Sequence, residues 1–92
     1  MAYTTKQKND VKDIIETYTN DYLDRYCQAD VIKQASDAME ANKSKTSVAN
    51  TVFDYIHEKY EGDNIVYATA LQQCMPKDIM LILRQEIISI LT

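Results

Sequence analysis

Apolar residues recur along this chain at the three- and four-residue spacing of α-helices rather than the alternating spacing of strands. The longest stripe is Val11, Ile14, Ile15, Tyr18, Tyr22, Leu23 and Tyr26. With Thr4 or Thr5 as N-cap, it predicts a first helix over 5–27. Asp30 can cap a second helix over 30–42, with Val31, Ile32, Ala35 and Met39 inward. The polar stretch that follows, 42–45, reads as a loop. Thr46 or Ser47 heads a third helix over 47–61, whose inner face is Val48, Val52, Phe53, Ile56 and Tyr60. Gly62 then supplies a left-handed stop. Asp63 or Asn64 caps a short fourth helix over 64–74. The last, 76–91, opens at Pro76, where a missing N–H is no loss, and Asp78 complements the helix dipole in its first turn.

Composition narrows the fold class. The chain has one Gly and one Pro in 92 residues, where average usage gives roughly six and five. A sheet protein needs turn residues far more often than that. The expectation is therefore all-α: a compact bundle of about five helices in a single domain spanning 1–92. No repeat, low-complexity tract or linker divides it.

The last helix is the most apolar segment. Ile79, Met80, Leu81, Ile82 and Leu83 are consecutive, and Ile87, Ile88, Ile90 and Leu91 follow. A helix apolar on nearly every side is either central to the bundle or keeps a face for an oligomer interface. On the second reading Met80, Leu83, Ile87 and Leu91 form the seam of a homodimer.

Net charge is −4, and Arg occurs only at Arg25 and Arg84. No basic stripe of the kind that neutralises phosphates is present, so nucleic acid is disfavoured as a partner. On a first helix running to residue 27, Asp10, Asp13, Asp21 and Asp24 share one sector with Glu16 at its margin, making an acidic ridge. Lys12 and Arg25 lie beside it. Such a ridge is either solvated surface or a docking face for a basic protein.

Seven tyrosines are about twice the usual share, and Trp is absent. Tyr18, Tyr22 and Tyr26 recur at successive turns of the first stripe and are expected at the core edge, hydroxyls outward. Tyr3, Tyr55 and Tyr67 fit the inner faces less well and are interface candidates. His57, the sole histidine, has Asp54 and Glu61 at helical spacing, yet one imidazole and two carboxylates make a poor zinc site.

Catalysis has little to stand on. The chain contains no glycine loop for phosphates, no Cys-x-x-Cys and no Gly-x-Ser-x-Gly. Cys27 or Cys74 with His57 would make a thiol–imidazole pair, but free cysteine is most often a small buried hydrophobe. No metal, cofactor or catalytic group is expected. The cysteines lie far apart with no apolar leader ahead of them, and no run approaches the roughly 18 apolar residues of a membrane span. A soluble cytoplasmic protein with reduced thiols follows.

By elimination the leading expectation is a non-enzymatic protein-binding module. Ile, Lys, Tyr, Asn, Met and Phe far outnumber Gly, Ala, Arg and Pro, which marks an AT-rich genome. A small, acidic protein of that profile fits an accessory or inhibitor protein of a phage or mobile element acting on a host protein. Two alternatives stand beside it. One is a helix-turn-helix regulator whose reading helix is 64–74, although that segment holds no Lys or Arg. The other is a structural homo-oligomer subunit.

Overall fold

The computed structural model describes residues 2–60 and 75–92. Among them are four helices and no strand: α1 Thr5–Thr19, α2 Arg25–Glu40, α3 Lys45–Tyr60 and α4 Lys77–Leu91. The all-α class is as expected from the turn-poor sequence. The expected helix over 64–74, its caps, the stop at Gly62 and Cys74 lie outside the described residues.

Thr4 caps α1 through a reciprocal box: its hydroxyl accepts from the Gln7 amide at 3.0 Å, and the Gln7 side chain accepts from the Thr4 N–H at 3.0 Å. The helix then stops at Thr19, eight residues short of the expected end at 27. Several groups act together here. The Thr17 and Thr19 hydroxyls bond back to the carbonyls of Asp13 and Ile15, which weakens the helical preference locally. The chain then wraps around the Thr19 carbonyl, which accepts from the N–H groups of both Tyr22 and Leu23. Asp24 captures the Cys27 amide at 2.9 Å and starts α2 six residues earlier than the expected cap at Asp30. Leu23, buried in the connection, keeps the apolar period running through a break in the backbone.

The other boundaries differ less. α2 ends in a Schellman arrangement: Asn42 has φ 56°, its N–H reaches the Met39 carbonyl, and the Lys43 N–H reaches that of Ala38. Asparagine tolerates this left-handed turn, so no glycine is needed. Ser44, not Thr46 or Ser47, caps α3, its hydroxyl accepting from the Ser47 amide at 3.2 Å. Pro76 sits at the N-cap of α4 rather than inside its first turn.

α1 packs on α2, α2 on α3, α3 on α4 and α4 back on α1, closing a ring. Neighbours run antiparallel. Lys8 near the start of α1 pairs with Glu40 at the end of α2 at 2.7 Å, and Lys45 opening α3 bonds Thr92 beyond the end of α4 at 3.1 Å. One buried cluster draws on every helix, with Ile15, Val31, Val52, Ile56, Leu83 and Ile87 fully enclosed. Among the described residues the ring of four leaves no central position, so α4 stands at one of its corners. Its core stripe is Met80, Leu83, Ile87 and Leu91, spaced three, seven and eleven residues from the first. Those four side chains, expected on an oligomer seam, are therefore taken up by the core of the single chain. The apolar residues that α4 does expose are Leu81 and Ile82, each 46% accessible. No described helix is long and apolar enough to cross a membrane.

Candidate functional site

The break at 20–24 redistributes the acidic residues. Asp10 and Asp13 are on α1, Asp21 is in the turn, and Asp24 caps α2, so the four do not form one helical ridge. Asp10 also holds Lys6 at 2.7 Å, a contact that raises the lysine's pKa through its hydrogen bond and charge. Two of the four carboxylates thus have internal partners.

The tyrosines separate too. Tyr18 and Tyr22 pack partly buried against the core, whereas Tyr26, in the first turn of α2, is 85% exposed. Tyr3 packs partly against the core and its hydroxyl donates to the Lys43 carbonyl, tying the N-terminal segment to the α2–α3 turn. Tyr55 is covered by the Lys59 ammonium, 4.9 Å from its ring centre, and meets Tyr60 edge-on at 6.3 Å. Tyr67 lies outside the described residues.

His57 stacks on Phe53 one turn back, with ring centres 6.0 Å apart and planes within 9°. Glu61, its expected carboxylate neighbour, lies outside the described residues, and no group of three His, Cys, Asp or Glu among those described could hold a metal. Cys27 is buried at the start of α2, where its thiol meets the Tyr60 hydroxyl. Burial pushes the thiol's pKa up, partly offset by that hydroxyl, and pushes the phenol's well above its ordinary range. A thiol held protonated in this way is a weak nucleophile.

An open groove of about 680 Å³ runs along the seam between α1 and α2. Lys12 and Glu16 of α1 and Asn20 at its C-cap, spaced four residues apart, line one side of it. From α2 come Arg25, Gln28, Ala29, Ile32, Lys33 and Ser36, one stripe of that helix. Ile32 is partly buried against the core and, with Ala29, gives the groove its apolar ground. Gln28 locks the end nearer the turn: its amide donates to the Thr19 hydroxyl at 3.0 Å and to the Glu16 carbonyl at 3.2 Å.

The charge of this groove opposes that of the chain. Three cations face one carboxylate, on a protein whose net charge is −4. Lys33 is shared with Asp37 at 2.8 Å, and that hydrogen bond raises its pKa, so it stands as a cation and not as a base. Lys12 and Arg25 form no ion pair among the described residues. Tyr26 lies next to Arg25 and seven residues before Lys33 on α2, though not among the residues that line the groove.

No protein-family model, curated protein or solved structure matches the chain.

Proposed function

We propose that this protein is a non-enzymatic protein-binding module and that the α1–α2 groove is the face that meets its partner. The observation that carries this reading is the groove itself: a concave surface with apolar ground and two cations that form no ion pair among the described residues, with the exposed Tyr26 next to Arg25 in the chain. Tyr and Arg dominate the energetics of protein interfaces, and a tyrosine left 85% exposed has contact area still to bury. The groove lining contains neither histidine nor cysteine, and its Lys33 is ion-paired with Asp37. Nothing in it resembles a nucleophile beside a general base.

The narrower reading, an accessory or inhibitor protein of a phage or mobile element, rests on the small, acidic, AT-rich profile of the chain alone.

The experiment is affinity capture from the source cells with three forms of the chain. Ala29 is exposed within the groove, so Ala29→Trp fills it without disturbing the core. Gln85, exposed on α4, serves as the control in Gln85→Trp. A specific partner retained by the wild type and by Gln85→Trp but lost with Ala29→Trp, at unchanged helical circular dichroism, supports the groove. Equal retention by all three places the interface elsewhere.

A further inference from the structure

The groove is built asymmetrically along its length, and that asymmetry constrains what can occupy it. α1 and α2 run antiparallel, Gln28 lying beside Glu16 and Thr19 while Lys8 meets Glu40 at the far end. Lys12 therefore stands toward the Ser36 end and Arg25 at the Asn20 end. Lys12 to Asn20 is eight residues, or about 12 Å of helix axis. The two cations, which form no ion pair among the described residues, stand at opposite ends of the groove. Between them lie Glu16, which repels a second anion, and the apolar ground of Ala29 and Ile32.

Beyond the groove the sign of the surface reverses. Asp13, Asp21, Asp30 and Asp37 are all exposed on α1, the turn and α2. At physiological salt, charges more than about 8 Å apart are largely screened, so a short ligand in the groove feels chiefly its cations. A long polyanion crossing the same surface meets the aspartates on either side.

We propose that the α1–α2 groove receives a short segment of a partner protein bearing two carboxylates roughly 10–12 Å apart with apolar side chains between them. A helical segment meets this with acidic residues seven apart, about 10.5 Å, on one face. Its carboxylates pair with Lys12 and Arg25, and its apolar middle sits over Ala29 and Ile32. The proposal rests on the groove being the binding face and adds the chemistry of what fills it.

The probe is a synthetic alanine-based helical peptide with two glutamates seven residues apart and two leucines between them, beside a twin with lysine in place of each glutamate. Each is titrated into the ¹⁵N-labelled full chain at low and at physiological salt. The expected result is saturable shifts at the amides of Lys12, Arg25, Ala29 and Lys33 with the glutamate peptide, with affinity at least tenfold above that of the lysine twin. The double variant Lys12→Glu/Arg25→Glu reverses that preference; both residues are exposed, so the fold is unaffected. Equal affinity for the two peptides, shifts outside the groove, or the same shifts produced by duplex DNA overturn the proposal. The capture experiment with Ala29→Trp is independent: loss of the partner there, alongside no charge preference here, keeps the groove as the binding face and removes only the acidic occupant.

Discussion

The side-chain amide of Gln28 reaches back from the first turn of α2 to the Thr19 hydroxyl at the end of α1, 3.0 Å away. Thr19 is completely buried and passes the bond on to the Ile15 carbonyl at 2.6 Å, while Gln28 also satisfies the Glu16 carbonyl. This short chain of bonds closes the C-terminus of α1, whose last carbonyls otherwise lack helical partners. It also fixes the angle at which α2 leaves, and hence the groove.

Thr19→Val keeps the volume and removes the hydroxyl, leaving part of the Gln28 amide unsatisfied. A loss of about 1–2 kcal/mol in urea unfolding is expected. A helix continuous to residue 27 predicts the opposite, since valine there fills the same space without a buried polar group.

The start of α2 makes a second separable prediction. Asp24→Ala removes the cap on the Cys27 amide and is expected to destabilise by about 1 kcal/mol, whereas Asp24→Asn changes stability little. Asp30→Ala, at an exposed position inside α2, stays within about 0.5 kcal/mol. Thermal unfolding of the three variants ranks them directly.

On α4, Leu83 and Ile87 are fully enclosed while Leu81 and Ile82 are nearly half exposed. Leu83→Ala or Ile87→Ala is expected to cost about 2–5 kcal/mol, with Leu81→Ala and Ile82→Ala each below about 1. Equilibrium denaturation reads the difference, and the reverse order contradicts the assignment of the core face.

Alkaline pH acts on the Cys27–Tyr60 pair. Burial raises both groups above their ordinary values of 9.0 and 10.0, so the folded state holds its protons to higher pH than the unfolded chain. Between the unfolded and folded values the native state binds more protons, and stability falls as pH rises. The unfolding midpoint should hold steady between about pH 7 and 8 and decline above about 9. Tyr60→Phe, lacking the phenol, should decline less steeply above about pH 10.

The helical class and most of the core were legible because the apolar period carries both. Val11, Ile15, Val31, Ala35, Val48, Val52 and Ile56 read correctly as inward. The break at 20–24 was not legible, because Tyr22, Leu23 and Tyr26 continue the same period across it. Leu23 is buried from a non-helical position, which periodicity alone cannot distinguish from a helical one. The signal that was present is local: two back-bonding threonines, then Asn20, Asp21 and Asp24, all residues that favour caps and turns. Read that way, the single acidic ridge dissolves, and Arg25 moves onto the face that lines the groove with Lys12. The groove itself is a product of two helices meeting, and each of its stripes alone looks like ordinary polar surface.

The central claim, that the α1–α2 groove meets a partner protein, is tested most directly by photo-crosslinking in the source cells. A benzoylphenylalanine placed at Ala29 should give one discrete protein adduct, and the same group at Gln85 should give none. Adducts of equal yield at both positions, or at Gln85 alone, contradict it.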